Sequence, residues 1–580
     1  MAKGERKNSK PKGPSVFGVL KPYKLIISGL IAFALLSNAV NLVIPKIISK
    51  AIDDFSIGSF SLQTIVWQFL AASIVIFVFT FLQGILQTYA SERVARDLRT
   101  QLTDKISRQS YAFINQSNPS KLLTNLTSDV DSIKLFVSMA VVMLASSLFV
   151  VIGASALLLS INWKLALNVL VIIPVIIGAF GIVFGKLSVL FKKSREMVDR
   201  LNKIINESII GAALVRVLNA QITEYNKFME ANSTARDISL SILRLFATLI
   251  PIVVFVGNMA SLAILALGGH FVMTGSMSLG DFAAFNSYLV LLIFPIMVIG
   301  FISNFIAQAS VAYGRISEVL NAPETSDTGT VETPLKGKIE LKNIHVKMGE
   351  KPVLKDISLT IQQGTQAAII GPTAAGKTQL LYLLTGLLKP DSGQILFDDI
   401  DLNNYKKENF QHQIGFVFQD SVIFSLSVRE NIAFNEKVTD ESLQKAIETA
   451  ELHDFIEQLP QGLDTIISER GTNLSGGQKQ RIMLARALAL NPKILLLDDF
   501  TARVDNQTEQ KILANVQRNY PEITLLSVTQ KIASVENYSQ IIVLEEGEIL
   551  ASGTHTELME TSPEYVQIFN SQRSTNHYEL

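Results

Sequence analysis

The 580-residue chain contains no cysteine and little charge. Without cysteine, a disulfide scaffold, a zinc site with cysteine ligands and a thiol nucleophile are all excluded. Charged residues make up 18% of the chain, below the about 25% of soluble domains, whereas hydrophobic residues make up 48%. Composition therefore indicates that part of the chain lies in a lipid bilayer. Equal totals of 51 basic and 51 acidic residues speak against a nucleic-acid-binding protein.

Basic and acidic side chains are unevenly distributed along the chain. Basic residues outnumber acidic ones in residues 1–323, and the reverse holds for residues 324–580. The first half is cationic and apolar, whereas the second is acidic and more polar. At roughly 150 residues per domain, the chain has room for one large membrane domain and a soluble domain after it.

The first half contains six intervals without a charged residue, each at least 21 residues long. A Lys, Arg or Asp at the centre of a membrane helix costs about 2.5–3.5 kcal/mol, so such intervals mark membrane spans. About 20 helical residues cross a hydrocarbon layer of roughly 30 Å. We predict six transmembrane helices over 25–45, 55–91, 135–163, 165–185, 245–280 and 282–314.

The charged breaks between these intervals predict the topology. Residues 92–134 and 186–244 carry seven and ten Lys and Arg side chains, and the chain begins with a basic segment (Lys3, Arg6, Lys7, Lys10 and Lys12). By the positive-inside rule, these segments and both ends of the chain are cytoplasmic, with the spans in the cell membrane. A cleaved signal peptide is the alternative for the first interval, but the interval is too long and no cleavage site follows it. Helical spacing in the two long breaks predicts that spans two to five continue beyond the bilayer.

The pattern changes after Pro323. A stretch rich in Thr, Pro and Gly predicts a linker over 324–338. From residue 339, short β-rich runs alternate with helical segments, which is the pattern of a parallel α/β sheet. The predicted fold is therefore multi-domain: an all-α, six-helix transmembrane domain over 1–323, the linker, and an α/β domain over 339–580.

A glycine-rich loop follows the β-rich run 367–370 and precedes a helical segment. It reads GPTAAGKT, which fits the GxxxxGK[ST] pattern in its strand–loop–helix setting. In such P-loops the backbone N–H groups cradle phosphates, the Lys contacts the β/γ-phosphates and the hydroxyl binds Mg²⁺. We therefore predict an ATP site, with Mg²⁺ on Thr378, that comprises Gly371, Pro372, Thr373, Ala374, Ala375, Gly376, Lys377, Thr378 and Gln379.

Two adjacent carboxylates follow another β-rich run. Residues 494–497 are Ile-Leu-Leu-Leu, and Asp498 and Asp499 come directly after them. Carboxylates at the carboxyl end of a buried strand beside a P-loop are placed for Mg²⁺ and for the attacking water. We predict that Asp498 binds Mg²⁺ and that Asp499 lies at the catalytic position. Solvation of a strand end is the alternative explanation.

The string LSGGQ over 474–478 resembles the signature of ATP-binding cassette (ABC) proteins. Gln419 in the string FVFQD resembles the Q-loop of that family, and 502–505 (ARVD) resembles a loosened D-loop. In the first half, 279–285 (LGDFAAF) and 128–131 (SDVD) resemble exporter half-transporters. The resemblance therefore covers essentially the whole chain.

This resemblance implies a P-loop cassette that is fused to a six-helix domain and works as a dimer. It implies that Gln419 binds Mg²⁺ and belongs, with Asp499 and Gln530, to the catalytic residues. In the family the signature closes on the ATP of the partner; here it contains Ser475, Gly476, Gly477 and Gln478. Two cytoplasmic turns, which we place near 115–121 and 221–228, are expected to transmit force by docking on the cassette near Gln419.

Four residues depart from the family pattern, and all belong to the ATP site on this chain's own P-loop. Asp499 replaces the Glu that polarises water, and Gln530 replaces the His that contacts the γ-phosphate. Met348 replaces the aromatic residue that stacks on adenine, and Ala374 replaces a P-loop Gly. The LSGGQ string is intact. We therefore predict a degenerate, slow site on this chain and a second, non-identical half-transporter whose competent site this signature completes.

The predicted function is that of a subunit of an ATP-driven, multidrug-type exporter. Because the spans hold almost no charge, we predict hydrophobic or amphipathic small molecules as substrates. Three alternatives remain open: a regulatory subunit that does not hydrolyse ATP, an ATP-gated channel, and a lipid flippase.

Overall fold

The computed structural model describes residues 15–324 and 329–576. The basic segment before residue 15 and part of the predicted linker, 325–328, lie outside the described residues. The chain forms two compact units. One contains the residues up to Arg108 and Ser117–Pro323, and the other contains Gln109–Gln116 and the residues from Glu324 onward.

Within the part of the chain that the structure describes, the first unit contains six helices that are long and apolar enough to span a membrane, which confirms the predicted number. They are 41 to 53 residues long, and a 46-residue helix measures about 70 Å, more than twice the bilayer's hydrocarbon thickness. A short helix, α3, precedes the third span. The bounds are α1 (Val16–Ser56), α2 (Leu62–Ser107), α3 (Tyr111–Ser117), α4 (Pro119–Ile161), α5 (Trp163–Ile210), α6 (Gln221–Met273) and α7 (Leu279–Leu320).

The end of α1 caps the start of α7. The carboxylate of Asp53 accepts hydrogen bonds from the N–H of Gly280 at 2.8 Å and the hydroxyl of Ser278 at 2.7 Å. A Cβ atom on Gly280 would lie 2.0 Å from the carbonyl oxygen of Ser49, so only glycine permits this approach. The negative charge of this carboxylate near the N-terminus of α7 is also stabilised by the helix dipole. Two helices that are far apart in sequence are thereby joined.

In its described residues, the cassette unit is built on two sheets. A four-stranded antiparallel sheet has the order β2-β1-β4-β5, and a six-stranded sheet has the order β10-β9-β3-β8-β7-β6, in which only β10 is antiparallel. The strands are β1 (Ile339–Met348), β2 (Lys351–Ile361), β3 (Gln366–Ile370), β4 (Ser392–Phe397), β5 (Ile400–Asp401), β6 (Ile414–Val417), β7 (Ile494–Asp498), β8 (Thr524–Val528), β9 (Gln540–Glu545) and β10 (Glu548–Gly553).

Helices cover the six-stranded sheet, so its central strands are buried on both faces. All residues of β7 and β8 are buried, as expected for continuous apolar runs in a parallel sheet. The helices are α8 (Lys377–Leu384), α9 (Lys407–Gln411), α10 (Val428–Ile432), α11 (Asp440–Thr449), α12 (His453–Glu457), α13 (Gly476–Leu488), α14 (Asn506–Asn519), α15 (His555–Thr561) and α16 (Pro563–Asn576). This α/β architecture confirms the predicted fold class.

The second part of the predicted linker packs on the cassette. Leu335 is buried in the cassette core, and its N–H donates to Gln413 Oε1 at 2.6 Å. The carboxylate of Asp398 accepts hydrogen bonds from the N–H groups of residues 336, 337 and 338. Residues 335–338 are therefore held in one conformation before β1 begins.

Candidate nucleotide site

A cavity of about 300 Å³ lies at the carboxyl ends of the central parallel strands. This is the edge of a parallel sheet where ligands bind in open α/β folds. The structure brings together here most of the residues that the sequence predicts for the ATP site. The lining residues are Thr373, Ala374, Ala375, Gly376, Lys377, Thr378, Gln379, Gln419, Asp498, Asp499, Val528, Thr529 and Gln530.

The P-loop between β3 and α8 depends on backbone conformations that favour glycine. Gly371 has a φ of 152°, and a Cβ there would lie 1.9 Å from the carbonyl oxygen of Leu544. Gly376, with a φ of 100°, directly precedes α8. Ala374 also lies in the left-handed region, with a φ of 67°. For a residue with a Cβ this conformation costs about 1–2 kcal/mol, so the alanine strains the loop.

Lys377 lies over the loop that precedes it. Its Nζ donates to the carbonyl oxygens of Gly371 at 2.8 Å and Pro372 at 2.7 Å. Burial lowers the pKa of Lys377, whereas the nearby carboxylates of Asp499 and Asp498 act in the opposite direction. An ammonium group has three N–H donors. The third donor and the positive charge can therefore serve a phosphate oxygen.

Asp498 ends β7 and is only 2% exposed. Burial raises the pKa of Asp498, and a hydrogen bond with Thr378 opposes this rise. Among the described residues, Asp498 Oδ2 has no hydrogen-bond partner. Asp498 with its unpaired oxygen, Thr378 with its hydroxyl and Gln419 with its amide all line this cavity. Mg²⁺ prefers hard oxygen ligands of this kind. The residues present therefore fit a magnesium ion.

Asp499 and Gln530 follow adjacent strands. Asp499 has a φ of 47°, and its N–H donates to the carbonyl oxygen of Val528 at 2.9 Å. Asp tolerates the left-handed region better than most residues. The N–H of Thr529 donates to the carbonyl oxygen of Ile369 at 3.2 Å, so the segment that leads to Gln530 is tied to β3. Hydrogen bonds to neighbouring strands thus hold the backbone at Asp499 and just before Gln530.

Predicted site residues that do not line this cavity are Gly371 and Pro372 at the start of the P-loop, Met348 and the four residues Ser475–Gln478. Met348 ends β1, is half-exposed and pairs with Lys351 in the β1–β2 hairpin. Ser475 caps α13: its hydroxyl accepts from the N–H of Gln478 at 3.2 Å, and Gln478 Oε1 accepts from the N–H of Ser475 at 2.8 Å. This reciprocal capping leaves Ser475 exposed at the positive end of a 13-residue helix.

Comparison with known proteins gives two family matches. The ABC transporter transmembrane region matches residues 25–296, and the ABC transporter cassette matches residues 354–502. YfiB of Bacillus subtilis (strain 168), an uncharacterised ABC transporter ATP-binding protein, is 33% identical over 95% of this chain and 97% of its own length. This chain belongs to the ABC transporter family.

Other relatives of this ABC transporter differ in their described activities. The ATP-dependent lipid A-core flippase of Syntrophus aciditrophicus (strain SB) is 31% identical over 94% of this chain and 90% of its own length. The probable multidrug resistance ABC transporter YheI of Bacillus subtilis (strain 168) is 27% identical, with 95% and 96% coverage. The fold is that of a bacterial Atm1-family ABC exporter solved with ATP bound, with a TM-score of 0.80, 22% identity and coverage of 96% and 99%.

The matches settle the general activity of the chain. It is an ATP-hydrolysing translocase of the ABC type, with one six-helix membrane domain and one cytoplasmic cassette. Its cassette binds ATP. The assignment of individual site residues stays a prediction from their positions and chemistry.

The signature helix α13 of this ABC transporter is anchored from two sides. Cβ atoms on Gly476 and Gly477 would lie 3.1 Å and 3.0 Å from atoms of Arg503, so this residue of the predicted D-loop approaches both glycines closely. Arg486, further along α13, donates to the carbonyl oxygens of Asn431 at 2.6 Å and Val422 at 2.8 Å. Burial lowers the pKa of Arg486 to about 10, so it stays protonated at neutral pH.

The first predicted docking turn, near 115–121, overlaps a segment that belongs to the cassette unit. Residues 109–116 belong to the cassette unit, and the ring of Tyr111 lies 5.3 Å from that of Tyr382 on α8. Tyr382 in turn contacts Phe416 and Phe418, which precede Gln419. The segment from 109 thus reaches the Q-loop strand through aromatic rings. The second predicted turn, 221–228, begins α6 in the membrane unit.

Proposed function

We propose that this chain is one subunit of a heterodimeric ABC exporter and that its own ATP site is degenerate. The observation that carries the proposal is where the substitutions lie. Ala374, Asp499 and Gln530 all line the cavity on this chain's own P-loop. The intact signature, from Ser475 to Gln478, lines no part of that cavity. A signature whose Ser475 is exposed on its own chain can complete an ATP site on another chain.

Asp499 and Gln530 weaken the catalytic chemistry of this cavity. Asp499 is one methylene shorter than Glu, and a misplacement of about 1 Å can reduce a rate by about 10²-fold. Gln530 can form hydrogen bonds but cannot become cationic toward a γ-phosphate. Met348, which we assign to the adenine, offers no aromatic face. A homodimer would contain two such sites, whereas a non-identical partner with Glu and His would supply one competent site.

We propose Mg²⁺ as the ion that accompanies ATP, with Thr378, Gln419 and Asp498 as the residues that hold it. Thr378 follows the P-loop Lys, and Asp498 supplies the unpaired carboxylate oxygen. The ion would neutralise charge on the phosphates.

The apparent affinity of the ATP-bound chain for Mg²⁺ is expected to fall as the pH is lowered, and to begin falling at a higher pH than an ordinary Asp ligand would give. Because the pKa of Asp498 is raised, protons compete with Mg²⁺ for this carboxylate at a higher pH than for an ordinary Asp. Mg²⁺ titrations of fluorescent-ATP binding at each pH measure the effect, after correction for Mg²⁺ binding to free nucleotide. Asp498→Asn is expected to remove the remaining pH dependence; an unchanged pH dependence in this variant would exclude Asp498 as a ligand.

We propose hydrophobic or amphipathic compounds as substrates. Two polar side chains in the spans bond within their own helix: Asn38 donates to the carbonyl oxygen of Ala34 at 2.7 Å, and Gln308 donates to Asn304 at 3.1 Å. A pathway without fixed charges suits apolar solutes. YheI supports a multidrug substrate range, and the lipid A-core flippase supports lipid transport as a substrate variant.

The experiment that tests this function begins with the partner. We expect a tagged copy of the chain, purified from its native membrane, to bring down one non-identical half-transporter in equal amount. Inside-out vesicles that contain the pair are expected to accumulate a hydrophobic dye against its gradient when ATP is added. An ATP-gated channel would only equilibrate the dye, and a lipid flippase would move labelled lipid but no dye. Recovery of the chain as a homodimer alone would contradict the heterodimer.

A further inference from the structure

The C-terminal helix α16 contacts the segment that carries Gln530. Gln572 lies in its last turns, and both ends of its carboxamide bond to the backbone of that segment. Its Oε1 accepts from the N–H of Ile532 at 3.0 Å, and its Nε2 donates to the carbonyl oxygen of Gln530 at 2.5 Å. An N–H requires an acceptor and a carbonyl requires a donor, so the opposite amide orientation would satisfy neither group.

The helix that carries Gln572 is firmly attached to the cassette core. Tyr565 is fully buried, and its hydroxyl lies 2.6 Å from His555 Nδ1. Phe569 packs against the same core cluster. Tyr565, Phe569 and Gln572 are spaced i, i+4 and i+7, so they share one face of the helix. The face that anchors α16 therefore also places Gln572 against the backbone of Gln530 and Ile532.

The bonded segment leaves the nucleotide cavity at Gln530. The N–H of Thr529 is held by Ile369 on β3, and Gln530 itself lines the cavity. Two residues later the chain forms a short 3-10 turn, Ile532–Ser534. Gln572 thus fixes the carbonyl group of Gln530 and the first N–H of that turn. Together these two bonds hold the backbone on the carboxyl side of Gln530, from which its side chain extends.

We propose that Gln572 is a positioning residue for the nucleotide site and that α16 sets the reach of Gln530 toward the terminal phosphate. The inference rests on the proposed assignment of Gln530 to that site. A displacement of α16 would release the Gln530 carbonyl group and weaken the contact of its side chain with ATP. The C-terminal helix is then part of the ATP-binding machinery, although none of its residues lines the cavity.

A double-mutant cycle on the full-length chain in lipid nanodiscs tests this role. Gln572→Met keeps the side-chain length and removes both hydrogen bonds. We expect it to weaken Mg²⁺-ATP binding about two- to tenfold, the range that one or two hydrogen bonds typically contribute. In a Gln530→Ala background the same change is expected to have no further effect, because Gln572 acts through Gln530. Gln567→Met, at an exposed position of the same helix, is the matched control.

The outcomes separate a positioning role from a purely structural one. A loss of affinity from Gln572→Met that persists undiminished in the Gln530→Ala background would overturn the proposal. So would an unchanged affinity in Gln572→Met when Gln530→Ala alone weakens binding. If Gln530→Ala leaves binding unchanged, the assignment of Gln530 fails, and the positioning role fails with it. Thermal unfolding of each variant in the same nanodiscs shows whether the cassette is still folded.

Discussion

The double variant Asp499→Glu, Gln530→His is expected to hydrolyse ATP at least about tenfold faster than the unmodified chain when each is purified without a partner. A dimer of this chain has two intact signatures, so each repaired P-loop site would face a complete LSGGQ string. The added methylene brings the carboxylate to the position that Glu occupies in the family. A carboxylate misplaced by about 1 Å can reduce the rate by up to about 10²-fold. The introduced His can become cationic beside the γ-phosphate.

The measurement is phosphate release by the chain in nanodiscs that hold two copies, as verified by particle mass. Adding Asp498→Asn to the double variant is the control and is expected to abolish the gain, because the proposed metal ligand is lost. Ala374→Gly relieves the strain of the P-loop without changing its chemistry, and we expect it to change the rate by less than about threefold. Fast hydrolysis by the unmodified chain would contradict a degenerate site, as would a double variant that stays slow.

The membrane domain could be predicted from the sequence because each span is a long, uninterrupted stretch of residues without charge. A charge-free interval of 21 residues has few explanations, and each of the six intervals lies within or largely within one long helix. The P-loop could be predicted equally well, because the loop's own geometry requires Gly371, Gly376 and Lys377 at fixed spacing. Local rules of this kind need no knowledge of what packs against the segment.

The contacts that depend on distant partners could not be predicted in this way. Tyr111 follows α2 by only a few residues, and nothing in the string around it indicates that its ring meets Tyr382. Gln572 is a polar residue near a helix end, where solvent exposure is the usual expectation. Its bonds to residues about 40 positions away appear only when α16 is folded against the core. Tertiary packing, and not local pattern, supplies this part of the site.

Ser475→Asp is expected to reduce the ATPase rate of the complex with the partner at least about 10²-fold, whereas Asp499→Asn is expected to leave it within about twofold. Asp is as good an N-cap as Ser, so α13 keeps its first turn. Its carboxylate would face the γ-phosphate of the partner's ATP, and two like charges about 4 Å apart repel by roughly 4 kcal/mol at an effective dielectric constant of 20. Because Asp499 belongs to the slow site, neutralising it removes little of the total rate.

The matched control for this comparison is Ser475→Asn, which also caps the helix but adds no charge; we expect a much smaller loss. Steady-state phosphate release by the purified pair measures all three variants, and thermal unfolding verifies that the cassettes are folded. Equal losses from Ser475→Asp and Asp499→Asn would mean that both sites turn over together, and the asymmetry would then be wrong. A large effect of the charged residue alone would place the productive ATP on the partner's P-loop, opposite the signature that this chain supplies.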